Sequence, residues 1–323
     1  MSIWRKKPIA AYQADAKKND LNRVLTRWGL TSLGIGAIIG GGIFTLTGIA
    51  AHNHAGPALA LAFVIAGIGC LFASLCYAEF ASVLPVEGSA YAYAYGTVGE
   101  LFAWFIGWNL ILEYMMGATT VAVAWSGYFE KLLHQFGIHP PIWLMNDPAT
   151  AAEKTELAIK AAEKAGNMQL AADLASQGSF AFNLPALIIT FIVTAILIKG
   201  IKEAAKTNNV IVIIKIAVVL FVIIVGAFYI NTENWTPFIP EATQIIEKET
   251  THNAYGIGGI VSGAAAIFFA YVGFDAVSTQ AGEAINPKKD VPFAIIASLL
   301  VCTTLYILVS LVLTGMMNYQ DFN

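Results

Sequence analysis

Charged residues are scarce in this sequence, and they are unevenly distributed. Only 12% of the 323 residues are Asp, Glu, Lys or Arg, whereas an ordinary soluble domain carries about 25%. None occurs between Arg27 and Glu79, and none occurs from Val291 to Gln320. Each stretch is longer than the ~20 apolar residues that cross a bilayer. The absence of charge excludes an ordinary soluble domain and predicts an integral protein that crosses the lipid bilayer several times.

Other features are also missing, and each excludes a class of function. The net charge of −3 gives no basic surface for nucleic acid. The three cysteines lie in apolar runs without metal-ligand spacing, so they predict neither a metal site nor a disulfide framework. No nucleophile–base set is recognisable, so we predict that the chain is not an enzyme and needs no cofactor. The polar, basic N-terminus lacks the pattern of a removable signal peptide.

The apolar runs predict seven membrane spans, which are connected by polar loops. Their expected ranges are 28–50, 57–82, 99–129, 180–198, 207–230, 254–281 and 291–317. Lys and Arg concentrate in residues 1–27, in the loop after the fourth span and in the loop after the sixth. Because positive loops stay in the cytoplasm, we expect a plasma-membrane protein with a cytoplasmic N-terminal tail.

An insertion at 147–178 interrupts the loop after the third span. It is rich in alanine and charged residues, and Glu156 and Lys160 have the spacing of a helix-stabilising pair. We expect one or two short helices at the extracellular surface. The insertion is either a tolerated surface loop or a lid or docking element.

The first span contains the segment GIGAIIGGGIF, residues 34–44, with five glycines in nine residues. Each glycine disfavours a helix by roughly 1 kcal/mol relative to alanine. Three consecutive glycines, Gly40, Gly41 and Gly42, predict a break at the centre of the span. The free carbonyls before a break suit an ammonium group, and the free N–H groups after it suit a carboxylate. The alternative is close helix packing alone, because Gly36 and Gly40 form a GxxxG spacing.

The sixth span reads IFFAYVGFD at residues 267–275, with a central glycine and an acid at membrane depth. This pattern also predicts a weakened helix. Two glycine-interrupted spans at corresponding positions of two halves are typical of a transporter binding site. The first and sixth spans correspond if the repeat is five helices long.

Two further charges are expected at membrane depth, where ionisable groups are usually functional. Lys215 lies eight residues into the fifth span, and Glu113 lies in the middle of the third. We interpret Lys215 as a proton-coupling residue; the alternative is that it snorkels to the membrane surface. Glu113 is interpreted either as part of the coupling system or as a static structural acid.

Several short motifs, spread over nearly the whole chain outside the insertion, match those of a known family. They are residues 34–44, CYAEF at 76–80, PVEGSAYAY at 85–93, NNV at 208–210 leading to Lys215, 268–275, EAINP at 283–287 and VP at 291–292. With these motifs in this order, the sequence resembles the amino acid–polyamine–organocation superfamily. Within it, the sequence resembles the bacterial branch that is similar to cationic amino acid transporters.

The resemblance implies an all-α membrane protein with the leucine-transporter-type inverted-repeat fold. Residues 28–230 would form the first five-helix repeat, and residues 254–317 the first two helices of the second. The resemblance implies proton symport of an L-amino acid by alternating access, with Tyr306 joining Lys215 and Glu113 in coupling. The implied substrate-binding residues are Ile38, Gly40, Gly41, Gly42, Phe268, Phe269, Ala270, Tyr271 and Gly273.

The length departs from the resemblance, because such permeases have about twelve spans. We therefore expect the chain to be the N-terminal part of a carrier that needs spans 8–12 as partners. The alternative is a non-transporting fragment, or an assembly or binding module that pairs with a separate C-terminal piece.

Overall fold

A computed structural model describes residues 4–18, 23–40, 42–176, 180–247 and 250–322. The chain divides into two compact units, one formed by Met1–Leu110 with Ala204–Asn323 and the other by Ile111–Glu203. The described residues form fourteen α-helices. They are α1 (Ile9–Lys18), α2 (Arg27–Ile38), α3 (Thr47–Ala50), α4 (Leu59–Val83), α5 (Ser89–Thr97), α6 (Glu100–Gln135), α7 (Ile142–Met145), α8 (Pro148–Lys164), α9 (Met168–Ser176), α10 (Leu184–Ile198), α11 (Ile201–Ala227), α12 (Gly256–Ile267), α13 (Ala276–Thr279) and α14 (Pro287–Met316).

The predicted first span is broken. The helix α2 begins after Thr26, whose hydroxyl accepts a hydrogen bond from the N–H of Gly29, and it ends at Ile38. Ile39 then takes a non-helical conformation, with φ −74° and ψ 86°. A π-helical turn over Gly42–Leu46 resumes the helix and leads into α3 and a second π-helical turn, Ala51–Ala55. The expected break is confirmed, and it begins at Ile39, one residue before the first of the three glycines.

The second span follows after a turn at Gly56. Helical hydrogen bonding runs without a gap over Thr47–Val83, but Gly56 has φ 57° and ψ −140°, which no α-helical residue adopts. We therefore describe this stretch as two helical segments that meet at Gly56. The turn lies between the predicted first span, 28–50, and the predicted second span, 57–82.

The predicted sixth span is also interrupted. The helix α12 passes into a 3₁₀ turn over Phe268–Tyr271, and Val272 then becomes extended, with φ −56° and ψ 132°. Gly273 has φ +117°, a conformation that side chains disfavour. The chain resumes as the short helix α13. Both interruptions expected from the glycines are therefore present.

The first unit has its core around α14. This helix packs against α2 and α4, and its buried face includes Ile295, Leu299 and Tyr306. Tyr306 and Phe63 of α4 are fully buried and in ring contact, with their centroids 5.4 Å apart. The long apolar helix α14 thus holds the broken first span against the second.

The connection between α11 and α12 contains a feature that the sequence analysis did not predict. Strands β1 (Thr243–Glu247) and β2 (Thr250–Ala254) form an antiparallel hairpin in which Thr243 pairs with Ala254. Apart from this hairpin the described structure is helical, so the predicted all-α membrane class is confirmed.

The second unit contains the rest of α6, the helices α7 to α10 and the first residues of α11. The insertion forms two helices, α8 and α9, as predicted, and residues 177–179 lie outside the described part of the chain. The predicted pair is present, because the Lys160 Nζ lies 2.6 Å from Glu156 Oε1. Inside this unit Lys154 also binds Glu130 of α6, at 2.6 Å.

Five stretches of the described chain are long and apolar enough to cross a membrane: Thr47–Val83, Glu100–Gln135, Ile201–Ala227, Gly256–Thr279 and Pro287–Met316. The predicted first span is not among them because α2 has only 12 residues before the break. The predicted fourth span is a shorter apolar helix, the 15-residue α10. The predicted positions thus agree with helices throughout, but two of the seven are too short to cross as single helices.

Candidate substrate site at two broken helices

The two breaks contact each other through glycines. A Cβ atom placed on Gly42 would lie 2.7 Å from the Cβ of Ala270 and 2.8 Å from its Cα. A Cβ atom placed on Gly273 would lie 2.9 Å from the carbonyl carbon of Ala37. Each break therefore contributes a glycine whose missing side chain lets the other broken segment approach. Interiors are packed too densely to absorb such overlaps without a shift.

The glycines before the break have a different role. A Cβ atom on Gly34 would lie 2.6 Å from Ser298 Oγ of α14, and one on Gly36 would lie 2.6 Å from Asn208 Oδ1 of α11. Close packing, weighed as the alternative to a break, is thus what Gly34 and Gly36 provide. The break and the close packing occur together, at different glycines of the same segment.

Tyr306 connects the two breaks. Its side chain is fully buried, and its hydroxyl oxygen lies 2.8 Å from the carbonyl oxygen of Ile38 and 2.9 Å from that of Ala270. A hydroxyl has one proton, so it donates to one of these carbonyls at a time. Because Ile38 ends α2 and Ala270 lies in the 3₁₀ turn, one side chain of α14 holds both interruptions.

Lys215 of α11 binds the end of α2. Its Nζ donates hydrogen bonds to the carbonyl oxygens of Gly36, at 3.1 Å, and Ile39, at 2.7 Å. The last carbonyls of a helix lack partners within the helix, and they form the negative end of its dipole. An ammonium group at this position donates hydrogen bonds to the unpaired carbonyls and places a positive charge at the negative end of the dipole. The alternative in which Lys215 snorkels to the membrane surface is therefore wrong for this conformation.

The carbonyls at the end of α2 are thus already in use. Those of Gly36, Ile38 and Ile39 accept from Lys215 or Tyr306, and the Gly40 N–H also bonds to the Ile38 carbonyl at 2.9 Å. A carbonyl oxygen has two lone pairs, so the Ile38 carbonyl is fully used when Tyr306 donates to it. A further donor at this end of α2 would share acceptors with the protein's own groups.

Other predicted site residues lie at the same two interruptions. Ile38, Ala270 and Tyr271 have buried side chains, whereas Phe268 and Phe269 are each 47% exposed. The Tyr271 hydroxyl donates to the carbonyl of Phe63 at 2.9 Å, which anchors the 3₁₀ turn to α4. Gly41 lies outside the described residues.

The three predicted coupling residues are not all in one unit. Lys215 and Tyr306 belong to the first unit, and both donate to carbonyls at the end of α2. Glu113 is half-buried on the part of α6 that belongs to the second unit. Its coupling role stays a prediction, as do the substrate roles of the residues at the breaks.

Sequence reasoning missed the acceptors of Lys215 and the role of Ala37. Gly36 and Ile39 act through backbone carbonyls, which every residue type carries, so no side-chain pattern marks them. The backbone of Ala37 lies next to Gly273. In the sequence, the small side chain of Ala37 is the one feature that suggests another segment could approach so closely.

Comparisons with known proteins give a consistent result. The family model described as "Amino acid permease" matches residues 25–322. A methylthioribose transporter of Bacillus subtilis is 44% identical over the whole chain, and a branched-chain amino acid permease of the same organism is 46% identical over 99% of it. A vacuolar cationic amino acid transporter of Arabidopsis thaliana is 35% identical over 98% of the chain.

The chain spans 61% of the length of both bacterial relatives. These relatives are named as transporters or permeases, which confirms the prediction that the chain is not an enzyme. With the helical structure, they also confirm a multi-pass membrane protein. The family match over residues 25–322, nearly the full sequence, shows that this chain belongs to the amino acid permease family.

Proposed function

We propose that this chain is the N-terminal part of a secondary active amino acid transporter that couples uptake to protons by alternating access. The observation that carries the proposal is the pair of hydrogen bonds from Lys215 to the end of α2, beside the contact between the two breaks. In this reading the fold is of the leucine-transporter type, with inverted repeats. The N-terminus is cytoplasmic, as the positions of Lys and Arg favour.

The proposed substrate site lies between the two interruptions. The segment after the first break starts at Gly42, and the first N–H groups of a helix have no partner within it. They and the positive end of the helix dipole would receive the carboxylate of an L-amino acid. The carbonyls at the end of α2 and in the turn Phe268–Tyr271 would receive the ammonium. Only a ligand with both charges uses both ends of the broken helix.

The proposed coupling rests on the charge of Lys215. A protonated lysine binds the negative end of α2 by charge-assisted hydrogen bonds, which are roughly twice as strong as neutral ones. Loss of the proton removes the charge and weakens this attachment. The end of α2 is also held to the second break through Tyr306. Proton release from Lys215 would therefore loosen one of two attachments of the broken helix, with Glu113 as a further proton-binding group.

The relatives do not identify the substrate, because two relatives with similar sequence identity to this chain are named for different substrates. We favour an amino acid, since methylthioribose lacks the two opposite charges that the helix ends would bind. The test is uptake of radiolabelled leucine, alanine, arginine and methylthioribose into liposomes that contain the full-length protein. We expect an inward proton gradient to stimulate uptake of at least one of the amino acids, with methylthioribose carried less well.

The coupling residue is tested with Lys215→Met and the matched variant Lys206→Met, which changes an exposed lysine on the same helix. We expect Lys215→Met to reduce gradient-driven uptake by roughly tenfold or more, and Lys206→Met to change it by less than about twofold. Thermal unfolding of both variants identifies a loss that is due to misfolding. Full gradient stimulation in a folded Lys215→Met protein would contradict the coupling role.

The second candidate is an assembly module that needs a separate C-terminal partner, and the coverage of the relatives' length is the observation that raises it. Expression of the 323-residue chain alone and together with spans 8–12 from a relative tests whether the further spans are needed. Uptake by the chain alone would contradict the need for the further spans. Uptake only after co-expression supports it.

A further inference from the structure

An open cavity of about 520 Å³ lies at one end of the first unit. Four cationic side chains line it together with one carboxylate: Arg23, Arg27, Lys288, Lys289 and Asp290. Their formal charges leave an excess of three positive charges. The cavity lies at the first residues of α2 and α14, far along both helices from the breaks, so the proposed transport mechanism does not use it.

The frame of the cavity is fixed by backbone pairing. The N–H groups of Val24 and Leu25 bond to the carbonyl of Glu283, and the N–H of Ile285 bonds to the carbonyl of Leu25 at 2.9 Å. These bonds tie the segment that carries Arg23 to the segment that leads into α14. The cations from two distant parts of the sequence are thus held around one space.

The carboxylate in the cavity is already paired. The Arg27 Nε lies 3.2 Å from Asp290 Oδ1, and the side chain of Asp290 is 9% exposed. A guanidinium has five N–H donors, so Arg27 retains donors for another acceptor. Lys288 and Lys289 are exposed, and they flank the positive end of a 30-residue helix. Positive charge therefore remains available in the cavity.

Two aromatic side chains lie beside Arg27, next to the cavity. Trp28 is 70% exposed and meets Phe293 edge-on, with ring centroids 5.7 Å apart. The guanidinium of Arg27 lies over the same phenylalanine, 4.8 Å from its ring centre. Exposed tryptophans at the ends of spans lie at the level of the lipid headgroups. The cations are thus placed beside apolar side chains at the depth where lipid phosphates occur.

We propose that the cavity binds the headgroup of an anionic phospholipid, with the phosphodiester among Arg23, Arg27, Lys288 and Lys289 and an acyl chain along Trp28 and Phe293. Clusters of Lys and Arg next to membrane spans attract such lipids, at about 1 kcal/mol per cation near the surface. The aromatic side chains beside Arg27 distinguish a lipid from a soluble phosphate, which would use the cations alone. The bound lipid joins α2 to α14 from outside the helices.

The test uses the full-length protein in detergent, titrated with phosphatidylglycerol or with phosphatidylcholine of the same acyl chains. Bound lipid is counted by native mass spectrometry. We expect phosphatidylglycerol to bind roughly tenfold more tightly, because only it carries a net negative charge. The variant Lys288→Gln with Lys289→Gln should weaken that binding on the order of tenfold. Arg27 is left in place because it pairs with Asp290.

The matched control is Lys202→Gln with Lys206→Gln, which removes the same charge from exposed lysines on α11. It should change the affinity by less than about twofold, since these residues do not line the cavity. Equal binding of the two lipids, or equal losses in the two double variants, would overturn the proposal. Displacement of the lipid by inorganic phosphate at the same concentration would overturn it too, because the ligand would then be a soluble anion.

Discussion

The two compact units differ in what a glycine does. In the first unit, Gly42 and Gly273 are required because the backbone of another segment occupies the place of a side chain. In the second unit, Gly117 and Gly127 lie on α6, and a Cβ built on either would meet no other atom of that unit within 4 Å, apart from the adjacent residues and backbone of α6 itself. Contacts with another segment thus require glycine at these positions of the first unit, whereas contacts within the second unit do not require it at Gly117 or Gly127.

Burial differs in the same way. Half of the most apolar part of Gly256–Thr279 is buried, but only 6% of the corresponding part of Glu100–Gln135. The broken helices bury their apolar surface against each other and against α4 and α14, whereas most large apolar side chains of α6 are exposed. Sequence hydropathy does not separate these cases, because lipid and protein interior demand the same side chains. The contrast indicates that the broken helices of the first unit are the more closely packed part of the chain.

The largest expected effect comes from Gly42→Ala. Its Cβ atom would overlap Ala270, so either the two breaks separate or the variant is strained, at a cost of roughly 1–3 kcal/mol. We expect uptake into liposomes to fall by roughly tenfold or more. The matched change is Gly127→Ala in α6, which should leave uptake intact and keep or raise thermal stability, since alanine favours a helix by up to about 1 kcal/mol. A fully active Gly42→Ala protein would show that the close approach of the breaks is dispensable.

Tyr306→Phe is expected to have the next largest effect. It removes the hydroxyl that lies between the carbonyls of Ile38 and Ala270, and a buried group left without its partner costs roughly 1–3 kcal/mol. We expect lower thermal stability and reduced uptake. Tyr128→Phe changes a tyrosine that is 44% exposed on α6 and should stay within about 0.5 kcal/mol of the wild type. If Tyr306→Phe were as stable as Tyr128→Phe, the Tyr306 hydroxyl would not stabilise the connection between the two breaks.

The sequence was sufficient to locate the apolar helices and the two interruptions, but not the helices α1, α5 and α7. Uninterrupted apolar runs have few alternatives to a membrane helix, because every backbone polar group must be satisfied inside the segment. Three consecutive glycines were a local signal of the first break, and the charged, alanine-rich composition of the insertion predicted α8 and α9. These features depend on short-range chemistry that a single sequence displays.

The parts that were missed depend on contacts between distant residues. Gly42 contacts Ala270, which is more than two hundred residues away in the sequence. Lys215 donates to backbone carbonyls, which every residue type carries, so the sequence does not identify its acceptors. The break begins at Ile39 rather than at the glycines, and the N–H of Gly40 bonds to Ile38 there. The hairpin of β1 and β2 was missed because short strands between two spans give no long periodic pattern. The functional roles of Lys215, Tyr306 and Glu113 remain predictions.

The smallest expected effect concerns the surface insertion, where side chains rather than backbone contacts set the structure. Asp147 caps α8 by accepting hydrogen bonds from the N–H groups of Ala149 and Thr150, both at 3.0 Å. The hydrogen bond with the Thr150 side chain is the main cause that lowers the pKa of Asp147 below its usual 3.8. Since the folded-state pKa is the lower one, the stabilisation is complete above about pH 4 and is lost as the pH falls through that folded-state pKa.

Asp147→Ala should cost about 1 kcal/mol at neutral pH, seen as faster hydrogen exchange in the first turns of α8. Asp147→Asn keeps a good cap that does not titrate, so its α8 should lose less protection on acidification than the wild type. An α8 that exchanges at the same rate in Asp147→Ala would show that the insertion is held by its packing rather than by its cap.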